Sequence, residues 1–195
     1  FKNNNLKKTD IVYNLITLVV ANQNGGVGKT TTALNLAASL SAASRKVLLI
    51  DLDSQKNASS ASGVDNITSK LSLLDALVDD KPINSLILKT DYKFDIIPAS
   101  QDLISAEMEL MNANNPTSIL KEKLSVIKNK YDYLVIDCPP SLGMLSVSAL
   151  RAADKVLIPL QCEYYSLEGL AAMNQTIGEI NASTGDKIKI SVILR

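Results

Sequence analysis

Short, unbroken apolar runs separated by longer stretches of mixed polarity set the rhythm of this chain. LITLVVA (15–21), KVLLID (46–51), YLVIDC (133–138) and KVLIPL (155–160) are rich in β-branched residues and leucine. Runs without polar alternation belong to strands covered on both faces, as in a parallel sheet. FDIIPA (94–99) and KIKISVIL (187–194) are weaker members of the same set. Between the runs, apolar residues recur at helical spacing over 30–43, about 71–78, 103–111, 118–130, 145–152 and 166–181. The alternation predicts an α/β fold of three layers, doubly wound around a mainly parallel sheet through right-handed crossovers. Ligands of such folds bind beyond the carboxyl ends of the strands.

Composition narrows the classes. With 195 residues, 46% of them hydrophobic, the chain can bury one substantial core, placed at 15–195 after a polar, Asn/Lys-rich arm at 1–14. Its 20 basic and 20 acidic residues cancel, so no global field points to a nucleic-acid partner, although a local basic patch stays compatible. The run at 15–21 is too short for a membrane span or a signal peptide, and no segment approaches about 18 apolar residues. Cys138 and Cys162 are too few for a disulfide framework and read as small apolar fillers in a reducing cytosol. The first residue is Phe1, and the chain stops at Arg195 just after an apolar run, so it is expected to lack the C-terminal part of its domain.

Candidate chemistry concentrates at ANQNGGVGKTTTALNL (21–36), between a predicted strand and a predicted helix. Gly25, Gly26 and Gly28 permit a close backbone approach, and the freed amides from Asn24 through Val27 to Thr31, with the helix start, make an anion hole. Lys29 supplies a positive charge for β- and γ-phosphates, and the Thr30 hydroxyl suits Mg²⁺. A glycine turn that merely starts a helix would explain the glycines but not the Lys-Thr pair that follows them. Two strand ends are acidic. LLIDLDSQKN places Asp51 and Asp53 at one tip, and YLVIDCPPS places Asp137 at another. A carboxylate after four apolar residues is the Walker B pattern and supports Mg²⁺, the alternative for Asp137 being a turn or helix-cap role before Pro139 and Pro140. Asp51 is equally explained by hydrogen bonds to neighbouring backbone, while Asp53, beyond the strand, is placed to orient or activate water.

Four blocks together, ANQNGGVGKTTTALNLAASL, KVLLIDLDSQKNAS, YDYLVIDCPPSLGMLSVSAL and ADKVLIPLQCEYYSLEGL, resemble the ParA/Soj branch of the ParA–MinD P-loop ATPases, in family order over residues 15 to 170. The resemblance implies a cytoplasmic, nucleoid-associated ATPase without a membrane anchor, using ATP and Mg²⁺. It also implies an ATP-sandwich homodimer that binds DNA non-specifically and is stimulated by a ParB-type partner. On that reading Lys29 contacts phosphates, Thr30 and Asp137 serve the metal, Asp53 acts on the attacking water, and 139–143 forms a switch.

Departures from the pattern carry their own expectations. Asn24 stands where the family has a lysine that reaches the partner's nucleotide, so hydrolysis and dimerisation are expected to be impaired. Asp53-Ser54-Gln55-Lys56-Asn57 stands where the family reads D-P-Q-G-N, so a fixed φ and a permissive glycine are lost. A non-catalytic nucleotide-binding regulator, or a MinD-like one, is the alternative. Cys138 and Cys162 look internal, against an iron–sulfur relative, and no acceptor site marks a small-molecule synthetase. The lysines at 121, 123, 128 and 130 fit a solvated helix side as well as a DNA face, and Tyr164 and Tyr165 read as packing residues.

Overall fold

Burial on both faces is what turns the apolar runs into strands. A computed structural model of the protein describes residues 15–64, 72–161 and 164–194; the arm at 1–14 and Cys162 lie outside the described residues. Seven strands form one sheet: β1 (Ile16–Val20), β2 (Val47–Asp51), β3 (Leu88–Lys89), β4 (Asp95–Ile97), β5 (Tyr133–Asp137), β6 (Lys155–Pro159) and β7 (Ile190–Leu194). Their order is β3-β4-β2-β5-β1-β6-β7, parallel throughout except for β3. The helices are α1 (Lys29–Ala42), α2 (Asn57–Ala61), α3 (Leu73–Leu77), α4 (Leu103–Leu110), α5 (Ile119–Ser125), α6 (Met144–Ala152) and α7 (Tyr164–Thr184), with a 3₁₀ turn at Ile83–Leu86.

Successive strand residues point to opposite faces and so divide the core in two. Leu48, Ile50, Leu134 and Ile136 join Leu103, Leu120, Leu145 and Met173 on one side of the sheet. Leu49, Val135, Leu18 and Val20 meet Ala33 and Ala37 of α1 and Ala58 of α2 on the other. The predicted three-layer, doubly wound architecture is therefore the observed one. Ala33 and Ala37 are fully buried and let α1 sit close to the sheet. Cys138 is buried, as expected for an apolar filler.

Some boundaries differ from the periodicity. The predicted helix at 118–130 ends at Ser125, whose hydroxyl turns back to the Glu122 carbonyl, and the following residues form turns. The helix predicted at 166–181 runs to Thr184. Neither β3 nor α2 was predicted: β3 has two residues, and α2 reads NASSA, with no apolar period to signal it.

Register decides what faces the ligand edge. Val20 and Asp51 both pair with Asp137, one from each side. The phosphate-loop entry and two acidic strand ends therefore stand in one row.

Candidate functional site

The glycine loop leaves β1 at one end of that row, beside Asp137, and turns directly into α1. Gly26 (φ 71°) and Gly28 (φ 88°) occupy the left-handed region, where a side chain would be strained. Gly28 is also the cap of α1, and no side chain bonds the first-turn amides, which leaves donors for an anion at the positive end of a helix of 14 residues. The loop is held from several sides. Buried Asn22 donates to the Pro159 carbonyl (2.7 Å) and accepts the Asn24 amide (2.9 Å). Gln161 donates to the Gly26 carbonyl (3.2 Å), and Lys29 Nζ donates to the Asn24 carbonyl (2.7 Å). Burial lowers the pKa of Lys29, while Asp137, Asp53 and Cys138 act in the opposite sense.

The three carboxylates have separate environments. Asp51 is fully buried and accepts the Asp53 amide (3.0 Å), the Ser59 amide (2.8 Å) and the Ser59 hydroxyl (2.7 Å). Burial raises its pKa and those hydrogen bonds pull it back. The same Ser59 oxygen accepts the Ala99 amide at 2.9 Å. Asp51 is thus a brace for the loop after β2 and for α2, which is the backbone-bonding alternative read from the sequence. Asp53 is half-buried and accepts the Gln55 amide (3.0 Å). Asp137 differs from both. Its side chain is fully buried, and neither carboxylate oxygen has a hydrogen-bond partner. Burial pushes its pKa up to about 7; the neighbouring Thr30 hydroxyl opposes this, Asp51 and Asp53 add to it, and Lys29 opposes it. A buried carboxylate with two unused oxygens beside a lysine and a threonine hydroxyl fits a divalent cation. Among the described residues no group of three His, Cys, Asp or Glu side chains is arranged to hold a metal. A metal here would draw on Asp137, Thr30 and oxygens of its ligand, as Mg²⁺ with phosphates does.

A cleft of about 770 Å³ opens over these groups. Of the residues singled out from the sequence, Gly25, Gly26, Gly28, Lys29, Thr30, Thr31 and Asp53 line it, whereas Asn24, Val27 and Asp137 do not. The Asn24 side chain instead lies against α7, where a Cβ added to Gly169 would be 3.2 Å from its Nδ2. Pro139, Pro140 and Ser141 line the cleft from the segment the resemblance marks as a switch. Ser54, Gln55 and Asn57 line it too and were not singled out for binding. Lys56, where the family pattern has glycine, adopts a left-handed conformation (φ 57°, ψ 29°) as the cap of α2. Asn22 and Gln161 were missed altogether; the available signal was a polar side chain directly after each of two apolar strand runs.

Comparison with known proteins agrees with this geometry. A family described as AAA domain matches residues 15–190. The chromosome partitioning protein ParA of Myxococcus xanthus is 48% identical over 180 residues, covering 91% of this chain and 63% of that protein. The sporulation initiation inhibitor protein Soj of Bacillus subtilis is 42% identical, covering 91% of this chain and 70% of that protein. Among solved structures, cobyrinic acid a,c-diamide synthase from Mycobacterium smegmatis, with bound ATP analogue and magnesium, is 34% identical and superposes with a TM-score of 0.82. That match covers 92% of this chain and 72% of the other. The chain thus spans less than two thirds of the M. xanthus relative's length. By profile, sequence and fold, the chain belongs to the ParA/Soj family of P-loop partition proteins.

Proposed function

We propose that this chain binds Mg-ATP in the cleft over α1 and acts as a ParA-type partition ATPase. The observation that carries the reading is Asp137, whose two buried oxygens have no partner and adjoin Thr30 and Lys29. The loop amides and the start of α1 bind the phosphates, and Lys29 adds a charge whose burial leaves it in need of an anion. Thr30 and Asp137 hold Mg²⁺, which when bound neutralises charge on the phosphate oxygens. Asp53, on the cleft wall, orients the water that attacks the terminal phosphoryl group. Pro139, Pro140 and Ser141 sense whether that group is present.

The larger cycle belongs to the same proposal: an ATP-dependent homodimer, non-specific DNA binding, and stimulation of hydrolysis by a ParB-type partner. Asn24 retains a hydrogen-bond donor but lacks the charge and reach of lysine, so hydrolysis is slow in this chain. A second reading, a nucleotide-binding regulator that does not turn over, is favoured by that same residue, whose side chain lies against Gly169 of its own chain. Calorimetric titration with ATP and Mg²⁺ tests binding, and no heat above the buffer control refutes the cleft assignment. ATPase rates with DNA and partner, for this chain and for Asn24→Lys, separate the two readings. Faster turnover by the lysine variant supports an impaired ATPase; no turnover by either supports the regulator.

A further inference from the structure

The end of β6, Gln161 just beyond it and α7 meet the glycine loop at alternate residues. Asn22 donates to Pro159. The Asn24 side chain lies over Gly169. The Gly26 carbonyl accepts from Gln161, 135 positions away in sequence. The third contact differs from the first two because it falls on the carbonyl of a glycine in the left-handed region. Gly26, with no side chain and φ of 71°, leaves the peptide plane that follows it free to swing. That plane carries both the Gly26 carbonyl and the Val27 amide, which a trans peptide points in opposite directions. Swung one way, the loop offers a donor to an anion; swung the other, it offers a carbonyl oxygen that repels one.

We propose that Gln161 is a positioning residue of the polyphosphate site: by holding the Gly26 carbonyl from outside the cleft, its carboxamide keeps that oxygen turned away from the ligand. Gln161 is not among the residues lining the cleft, so it acts on the loop from outside and touches no ligand itself. Its side chain is exposed, so replacing it removes no core packing. The proposal rests on the nucleotide reading above for its ligand, but not for its geometry.

Gln161→Met keeps the length of the side chain and removes the donor. Two measurements decide the matter. The first is the ¹H–¹⁵N spectrum of the ligand-free chain, in which the variant is expected to shift or broaden the Val27 amide while its melting temperature stays that of the unsubstituted protein. The second is the affinity for ATP-Mg and for sodium triphosphate, expected to fall about tenfold for both, because the released carbonyl oxygen can then turn toward the phosphates. Unchanged Val27 resonances, equal affinities, or a loss of affinity that follows a fall in melting temperature would each overturn the proposal. Failure of the unsubstituted chain to bind either ligand sinks the nucleotide reading, and the ligand-free spectrum still decides whether Gln161 orients the loop.

Discussion

Lys56→Gly is expected to stabilise this protein, although it deletes a long side chain from a helix cap. Lys56 sits at φ 57° and ψ 29°, where an L-residue pays roughly 1–2 kcal/mol for the approach of its Cβ to the following carbonyl. Glycine removes that strain but adds backbone freedom to the unfolded chain, a cost of roughly 0.5–1 kcal/mol. The difference is a net gain of about 0.5–1 kcal/mol. Nothing else of weight is lost. The local bonds, Lys56 amide to Asp53 carbonyl and Ser60 amide to Lys56 carbonyl, both 2.8 Å, are backbone bonds that survive substitution. Among the described residues the Lys56 ammonium has no ion pair. For a chain of 195 residues the unfolding entropy is roughly 0.4 kcal/mol/K, so the melting temperature should rise about 1–3 °C. Thermal unfolding followed by circular dichroism measures it, with Lys56→Ala as the control that removes the side chain but keeps the Cβ. A glycine variant no more stable than the alanine variant would refute the strain argument.

The remaining predictions concern the carboxylates and α7. Asp137 keeps its proton to about pH 7 when folded, against 3.8 for an ordinary carboxyl, so the folded state binds more protons between those values. Stability should therefore fall as pH rises from about 4 to 7 and level off above, by an amount on the order of 2–4 kcal/mol; urea titrations across that range should lose the slope in Asp137→Asn. Added Mg²⁺ should flatten the slope in the unsubstituted chain, because a bound cation favours the ionised form. Asp51→Asn should cost about 2–4 kcal/mol, since an amide group would then face one of three buried donors; urea denaturation reads it. Gly169→Ala should be neutral to stabilising, because alanine improves the helix by about 1 kcal/mol and the 3.2 Å neighbour is the tip of a movable side chain. Gly169→Leu should lower the melting temperature, having no room except through Asn24.

How legible these features are in the sequence depends on whether local spacing encodes them. The four strong strands are legible because a strand covered on both faces has no polar alternation, and Leu48-Leu49-Ile50 buries all three side chains. The loop from Gly25 to Thr31 is legible because phosphate chemistry needs those residue types in immediate succession. Asp137 stands out as an acid ending an apolar run, a burial that is hard to sustain without a counter-ion. By contrast α2 carries no hydrophobic period, and its place is set by Asp51 reaching Ser59 eight residues on. The contacts of Asn22 with Pro159 and of Gln161 with Gly26 join residues more than 130 positions apart, so only the strand order reveals them. Asn24 shows the same limit, for its contact with Gly169 follows from the path of α7 and not from its neighbours in sequence.

The Asp51–Ser59–Ala99 relay has a consequence for the motions of the ligand edge. The Ser59 amide lies in a helix of five residues and the Ala99 amide in a connecting segment, positions that in most proteins open first. Both donate into a buried pair that also holds the Asp53 amide. None of the three can lose its hydrogen to solvent unless α2 lifts from the end of β2, so their exchange should be slow and simultaneous. The loop that bears Asp53 and the loop that leads into α4 therefore belong to one cooperative unit, and they open together with the sheet edge.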